Sequence, residues 1–170
     1  MRELILLRHA HAEPATAGQA DLDRPLSPEG LAEAEAAGRW LAEHELVPDC
    51  VLCSPARRTR ETLEAVLRAV GYVDERLEDG IYEATAGQLA AIADAHRTVE
   101  RLMLVGHNPG LERLAAVHQR GQSGDYRGMP PGGIAVLSLP VEADRVATPG
   151  SMSASTGRVR TAIPPGGMPR

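Results

Sequence analysis

The sequence contains no lysine, and all 18 of its basic residues are arginine. A pyridoxal Schiff base, a P-loop and a kinase active site each depend on a lysine, so these chemistries are excluded. Phenylalanine is absent too, and the aromatic residues are limited to Trp40, Tyr72, Tyr82 and Tyr126. So few aromatic rings cannot build the base-stacking platforms of proteins that bind single-stranded nucleic acid.

Long apolar runs and clustered basic charge are also missing. No segment approaches the roughly 18 consecutive apolar residues of a membrane span, and the N-terminus has no apolar core of a secretory signal. The net charge is -5 at pH 7, and the arginines are scattered along the chain. This distribution argues against a nucleic-acid-binding surface. We expect a cytoplasmic protein that binds neither nucleic acid nor membranes.

Cysteine is scarce, and the two that are present, Cys50 and Cys53, form a C-x-x-C pattern. Such a pattern can mark a redox pair or half of a zinc site. The surrounding sequence is apolar and strand-like, however, and side chains three positions apart on a strand point to opposite faces. We therefore interpret both cysteines as small buried residues.

The length of 170 residues fits one globular domain, and so do a hydrophobic fraction of 43% and a charged fraction of 24%. We expect a single domain over residues 1–170. The Gly- and Pro-rich C-terminal part predicts a strand over residues 134–139, an irregular loop over residues 140–157 and an edge strand over residues 158–163. A disordered tail from Val141 onward is the alternative.

One pattern occurs three times: an apolar run ends in polar residues, and a helix start follows. Short apolar runs of this kind are typical of strands buried in a parallel sheet. The runs cover residues 4–7, 50–53 and 102–105, and the helices begin at the Ser-Pro pairs of residues 27–28 and 54–55 and at Asn108-Pro109. Thr85 and Gln88 form a capping box that begins a further helix. The alternation predicts an α/β fold, a three-layer α/β/α sandwich with a mostly parallel central sheet.

Chemically active side chains follow the ends of these strands. Arg8 and His9 end the first run, Arg58 lies one turn into the helix after the second run, and His107 follows the third run. The carboxyl ends of parallel strands meet at one edge of a sheet, where ligands bind, and helix N-termini there favour anions. The planar fork of arginine donors matches phosphate oxygens. The sequence therefore predicts an anion pocket suited to a phosphoryl group.

Four segments resemble the motifs of one known family. Residues 7–10 (LRHA) resemble the R-H-G signature of the histidine phosphatase superfamily, which is phosphoglycerate-mutase-like. Residues 24–30 (RPLSPEG), 54–62 (SPARRTRET) and 105–107 (VGH) resemble its later motifs in the same order. The resemblance covers roughly residues 2–139 and is nearest to the SixA-type phosphohistidine phosphatase branch. Four ordered motifs together are a specific signal.

The sequence departs from the family pattern at two positions within these motifs. Ala10 stands where the family has glycine, and Thr59 stands where it has alanine. Register assigns the second arginine of the family to Arg58, four residues after Ser54, and leaves Arg57 on a variable position. The chain has too little room for the substrate-capping insertion of the larger mutases, so we do not expect mutase activity.

The resemblance implies a covalent, metal-independent phosphatase without a cofactor. His9 would attack phosphorus through a neutral ring nitrogen and form a phosphohistidine that water hydrolyses. Arg8, Arg58 and His107 would hold the phosphoryl oxygens. Glu83 is the candidate general acid for poor leaving groups. The favoured substrate is phosphohistidine on a protein.

Several alternatives remain open at this point. Arg24 either contacts substrate or forms an ion pair beside the helix that follows it. His9 and His11 form an H-x-H pair, which metal-dependent hydrolases use to hold a metal, although a barrel of about 250 residues normally carries that chemistry. The substrate could instead be a small phosphomonoester. A non-catalytic module that docks phosphorylated proteins would use the same arginines.

Overall fold

The structure is a computed structural model that describes residues 2–118, 128–140 and 159–162. The irregular loop expected over residues 140–157 lies outside the described residues, except for Pro140. Residues 159–162, within the segment expected as an edge strand, form a strand.

Strands and helices alternate along the described chain. The strands are β1 (Arg2–Arg8), β2 (Cys50–Cys53), β3 (Asp74–Leu77), β4 (Arg101–Gly106), β5 (Ile134–Leu139) and β6 (Val159–Ala162). The α-helices are α1 (Pro28–Glu43), α2 (Arg57–Val70), α3 (Ala86–Ala95) and α4 (Gly110–His118). Two short 3-10 helices, Asp21–Asp23 and Asp79–Ile81, lie in the segments that follow β1 and β3.

The strands form one sheet in the order β3-β2-β4-β1-β5-β6. Strands β1 to β4 run parallel, whereas β5 pairs antiparallel with β1, and β6 pairs antiparallel with β5. Strand β1 is central because it pairs with both β4 and β5, in a register that sets Arg8 opposite Gly106 and Leu7 opposite Ile134. The mostly parallel sheet confirms the expected α/β class.

Each face of the sheet is covered by a pair of helices. Ile5 and Leu7 of β1 pack on one face with α1 and α2, and Leu4 and Leu6 pack on the other face with α3 and α4. All four side chains are at most 1% exposed, and each such burial stabilises the fold by about 1.5–3 kcal/mol. The three-layer sandwich expected from the sequence is therefore confirmed.

The two cysteines of β2 are buried on different faces of the sheet. Cys50 belongs to the core beneath α3 and α4, and Cys53 to the core beneath α1 and α2. Both thiols are free, and burial raises the pKa of Cys53 to about 12. The interpretation of both as small buried residues is confirmed.

Within the described residues, no helix is long and apolar enough to cross a membrane. The cytoplasmic location expected from the sequence stays a prediction.

Two helices begin where the sequence predicts, each with a side-chain cap. Ser27 Oγ accepts a hydrogen bond from Gly30 N–H at 3.0 Å at the start of α1. Thr85 and Gln88 form the expected capping box at the start of α3, with both reciprocal hydrogen bonds present. Local hydrogen bonding between near neighbours decides both starts, which is why the sequence alone could predict them.

The prediction that Ser54 caps α2 is wrong. The helix begins at Arg57 after Ala56, and no side chain caps it. The Ser54 hydroxyl accepts only a long bond of 3.4 Å from Ala56 N–H and lies 2.7 Å from His107 Nε2. This hydroxyl therefore belongs to the polar cluster at the strand ends.

Gly30 allows α1 to lie close to the segment that follows β1. A Cβ atom at this position would overlap the backbone carbonyl oxygen of His11. Gly87 occupies the first turn of α3, where a Cβ would meet only Thr85 Oγ1 at 3.9 Å. The two glycines have similar places in their helices and differ in the space beside them.

We expect Gly30→Ala to lower the free energy of unfolding by about 3 kcal/mol, the upper end of overpacking costs, because the overlap is with backbone. Gly87→Ala should leave it unchanged or raise it by about 0.5–1 kcal/mol, since alanine is the better helix former. Urea denaturation followed by circular dichroism measures both. An equal effect of the two substitutions would contradict the close approach of α1.

Candidate active site

Backbone hydrogen bonds hold the ends of β1, β2 and β4 together at the carboxyl edge of the sheet. His9 N–H donates to Gly106 O at 3.1 Å, and Ser54 N–H donates to Val105 O at 3.0 Å. Gly132 N–H donates to His9 O at 3.1 Å and holds His9 from the other side. Residues that follow three separate strands therefore lie in one cluster.

The His9 imidazole has one nitrogen bound and one unbound. Its Nδ1–H donates to the carbonyl oxygen of Ala10 at 2.7 Å, so Nε2 keeps its lone pair and has no hydrogen-bond partner among the described residues. Burial lowers the pKa of His9 to about 4, against an opposing effect of the Ala10 hydrogen bond and with help from the charges of Arg58 and Arg8. At neutral pH, His9 is an uncharged base.

His107 lies beside His9, with the ring centroids 5.3 Å apart. Arg58 Nη2 donates to His107 Nδ1 at 3.3 Å, because a guanidinium can only donate. The proton of neutral His107 is then on Nε2, which donates to Ser54 Oγ at 2.7 Å. Burial and then the charge of Arg58 lower the pKa of His107 to about 3. These contacts hold His107 neutral and in one tautomer.

Arg58 is only 6% exposed, and both of its terminal nitrogens have partners. Its Nη1 donates to Asp21 O at 2.8 Å, and its Nη2 donates to Asp21 Oδ2 at 3.0 Å. Tyr82 Oη donates to the same Oδ2 at 2.6 Å, and Arg24 Nη1 donates to Asp21 Oδ1 at 3.1 Å. The hydrogen bond from Tyr82, and after it those from the arginines, hold the pKa of Asp21 well below its usual range. Asp21 is therefore ionised and joins three side chains.

Asp21 is a residue of the cluster that was not predicted from the sequence. Its only signal in the sequence is its position three residues before Arg24 on a short 3-10 helix, a spacing at which an acid and a base can meet. Its contact with Arg58, which lies 37 residues further along the chain, has no such signal.

Two arginine Nε groups of the cluster, those of Arg8 and Arg58, are buried without a hydrogen-bond partner among the described residues. Arg8 is otherwise held by a hydrogen bond of 3.0 Å from its Nη1 to Met129 O. A buried donor that stays unpaired costs about 1–3 kcal/mol, and an oxyanion is the strongest acceptor for an arginine fork. The chemistry of these donors fits a phosphoryl group.

Arg24 lies at the border of the cluster. Its Nε donates to Glu13 O at 2.9 Å, and its Nη1 forms an ion pair with Asp21. The ion pair, one of the two alternatives for this residue, is therefore present. A contact of Arg24 with substrate stays a prediction.

Glu83 follows Tyr82 directly in the chain. It is exposed, its backbone is left-handed with a φ of 58°, and it lines a cavity of about 320 Å³ together with Arg58 and His107. Asp21 lines the same cavity. The structure thus places Glu83 beside the cluster, and its role as a general acid stays a prediction.

His11 is tied to the start of α1. Its Nδ1 lies 2.7 Å from Ser27 Oγ, and its carbonyl oxygen accepts a hydrogen bond from Ser27 N–H at 3.0 Å. In the part of the chain that the structure describes, no three histidine, cysteine, aspartate or glutamate side chains are grouped so that they could hold a metal ion.

The two departures from the family pattern fit their surroundings. Ala10 is fully buried and packs in a small cluster with Ala34. Its N–H donates to Thr62 Oγ1 at 3.0 Å. Thr59 is fully buried as well, and its hydroxyl donates to Ser54 O at 2.8 Å. Both residues help to hold the first turns of α2 against the strand ends.

The fold is a three-layer α/β/α sandwich with a mostly parallel sheet, and two histidines and two arginines lie at the carboxyl edge of that sheet. This combination defines a phosphoglycerate-mutase-like α/β protein. The family model of the histidine phosphatase superfamily (branch 1) matches residues 4–124. The chain therefore belongs to the histidine phosphatase superfamily.

Similar proteins agree with this assignment. An uncharacterized chloroplastic protein of Arabidopsis thaliana is 35% identical over 127 residues, which cover 68% of this chain but only 58% of that relative. A provisionally assigned phosphohistidine phosphatase SixA from Agrobacterium tumefaciens has a TM-score of 0.75 at 34% identity, over 81% of this chain and 92% of that chain. Its counterpart from Nakamurella multipartitia has a TM-score of 0.77 at 30% identity, over 96% of each chain. Family and neighbours together support the histidine phosphatase superfamily assignment and its fold.

We expect His9 to stay neutral far below the pH at which an ordinary histidine becomes charged. In an NMR titration of histidine-labelled protein, the His9 ring signals should move around pH 4, whereas an unperturbed histidine titrates near pH 6.5. The unfolded chain takes up this proton at the higher pH. The free energy of unfolding should therefore fall between pH 6.5 and 4, and His9→Gln should lessen that fall. A pKa of His9 near 6.5 would contradict its burial.

Proposed function

We propose that the protein is a metal-independent phosphatase that forms a covalent phosphohistidine intermediate on His9. The observation that carries the proposal is the hydrogen bond from His9 Nδ1–H to Ala10 O, which leaves Nε2 as an uncharged base with a lone pair. Arg8 and Arg58 lie near enough for their charges to act on His9. A nucleophile with a lone pair and fixed cations are what phosphoryl transfer requires.

The reaction proceeds in two steps. In the first, the lone pair of His9 Nε2 forms a bond to phosphorus, while the bond from phosphorus to the leaving group breaks and the leaving group departs with that electron pair. In the second, water attacks the phosphohistidine, the N–P bond breaks, and inorganic phosphate and neutral His9 are released. In both steps, negative charge is spread over three equatorial oxygens.

Arg8, Arg58 and His107 are the side chains we assign to those oxygens. The Nε–H groups of the two arginines are buried donors without a partner in the described residues, and donors that are oriented in advance stabilise charge strongly. His107 Nε2–H donates to Ser54 Oγ in this structure. To bind a phosphoryl oxygen, it exchanges the Ser54 hydroxyl for that oxygen as its acceptor. Together these donors take the charge-stabilising role that metal ions have in other phosphatases.

Phosphohistidine on a protein is the substrate we propose. Two solved structures at 30% identity or more are provisionally assigned as phosphohistidine phosphatases. The segment between β1 and β2, all of it described, contains only a 3-10 helix and α1 as regular elements, so it forms no capping domain over the site. A site that this segment leaves uncapped admits a phosphorylated side chain that is presented on a protein surface.

The leaving group decides how much proton donation the reaction needs. An alkoxide is a poor leaving group and needs a general acid, whereas imidazole leaves phosphohistidine with less help. We assign the acid role to Glu83, because it lines the cavity that contains Arg58 and His107.

The first test compares EDTA-treated wild-type protein, His9→Ala and His11→Ala on a protein that carries phosphohistidine. We expect the wild type to show turnover and an acid-labile phosphoenzyme after acid quenching. His9→Ala should lose both, with turnover at least about 1,000-fold lower, because it lacks the nucleophile. His11→Ala is the matched control, since this exposed histidine two residues away contacts Ser27 instead, and it should retain activity.

Other outcomes would favour the alternatives. Activity that EDTA abolishes and a divalent metal ion restores, with equal losses in both histidine variants, would favour a metal site at His9 and His11. Phosphate binding without turnover by the wild type would favour a non-catalytic phosphate-binding module. Turnover of small phosphomonoesters alone would favour a small-molecule phosphatase.

We expect Glu83→Gln to lower kcat/KM for an alkyl phosphate by about 100-fold or more, because the alkoxide then leaves without a proton donor. The loss on phosphohistidine should be much smaller. Asp79→Asn, which changes an exposed carboxylate of the preceding 3-10 helix, is the control and should affect neither substrate. Equal losses of Glu83→Gln on both substrates would refute the acid role.

A further inference from the structure

The carboxylate of Asp21 links three side chains from distant parts of the sequence. Oδ2 accepts hydrogen bonds from Arg58 Nη2 at 3.0 Å and from Tyr82 Oη at 2.6 Å, and Oδ1 accepts one from Arg24 Nη1 at 3.1 Å. The backbone carbonyl of Asp21 also accepts a hydrogen bond from Arg58 Nη1 at 2.8 Å. One residue therefore holds both terminal nitrogens of Arg58.

Contacts at both terminal nitrogens define the plane of the Arg58 guanidinium. His107 Nδ1 is the further acceptor for Nη2, at 3.3 Å, whereas Nε–H has no partner among the described residues. Asp21 therefore engages both terminal nitrogens, whereas the buried Nε–H keeps its hydrogen-bonding capacity unused among the described residues. A guanidinium held in advance loses less orientational freedom when it binds phosphate.

Charge balance gives Asp21 a second effect on Arg58. The Arg58 side chain is 8% exposed, and a buried cation without a counter-charge is costly. Within the described residues, the ion pair of Arg58 is the one with Asp21. Without this carboxylate, the guanidinium would gain hydration free energy by turning toward water, and it would then leave its present orientation in the cluster.

We propose that Asp21 is the positioning residue for Arg58: it holds the guanidinium in the orientation that binds the transferring phosphoryl group and does not touch that group itself. This inference rests on the proposed function, because it assigns a role within the same site. Asp23 offers a matched control, since its exposed side chain on the same 3-10 helix makes no hydrogen bond or ion pair with Arg58.

The test measures two quantities for each variant: the Kd for orthophosphate, from an NMR titration that follows the arginine Nε–H signals, and kcat/KM for phosphohistidine. Asp21→Asn keeps the size and the backbone carbonyl but removes the charge. We expect it to weaken orthophosphate binding and to lower kcat/KM by about 10- to 100-fold, the cost of a misplaced catalytic group. Asp23→Asn should leave both within about twofold of the wild type.

A double-mutant cycle separates positioning from a general structural effect. In an Arg58→Ala background, Asp21→Asn should cause little further loss of orthophosphate affinity, because Asp21 acts through Arg58. Asp21→Glu keeps the charge and should recover most of the affinity. Circular dichroism and Tm report whether each variant is folded, and Asp21→Glu tests the proposal even where Asp21→Asn is unstable.

Three results would overturn the proposal. The first is unchanged or tighter orthophosphate binding by Asp21→Asn. The second is a loss of orthophosphate affinity on Asp21→Asn that is equally large in the wild-type and the Arg58→Ala backgrounds. The third is an equal loss of orthophosphate affinity in Asp21→Glu and Asp21→Asn. A wild type that neither hydrolyses phosphohistidine nor binds orthophosphate would instead show that the proposed function itself is wrong.

Discussion

Parallel pairing of β1, β2 and β4 is the constraint on which the site depends. The register sets Arg8 level with Gly106 and Cys53 level with Val105, so segments far apart in the chain end at the same height. The residues just before these positions, 4–7, 50–53 and 102–105, are apolar and lie between two helix layers. A change in the register of β1 would bury the Arg8 charge in an apolar layer, which costs free energy. The first polar residues after the strands therefore define the edge where the site forms.

Burial and positive charge act together at this edge. His9 and His107 stay neutral because burial and the nearby arginines both oppose a proton on either ring. Arginine keeps its charge under all ordinary conditions, so the site combines fixed cations with neutral imidazoles. The same buried environment thus leaves the histidine with a free lone pair and the arginines with the positive charges that hold phosphoryl oxygens.

The backbone supports this arrangement as much as the charged groups do. Thr62 Oγ1 accepts from Ala10 N–H at 3.0 Å and donates to Arg58 O at 2.7 Å, so one buried hydroxyl joins the residue after His9 to the first turn of α2. This bridge links the backbone of Arg58 to the residue that follows His9. The threonines of α2 thus connect the packing of the helix to the geometry of the site.

Local patterns in the sequence were sufficient for the α/β class, the caps of α1 and α3 and the burial of both cysteines, because apolar periodicity and near-neighbour hydrogen bonds control them. The meeting of Arg8, His9, Arg58 and His107 could also be predicted, since parallel strands end at a common edge. The missing Ser54 cap on α2 could not be predicted, because the Ser54 hydroxyl has a competing partner in His107, which is distant in sequence. The place of Asp21 beside Arg58 depends on the path of the irregular segment after β1. Only tertiary contacts determine that path, because the segment has no periodic pattern.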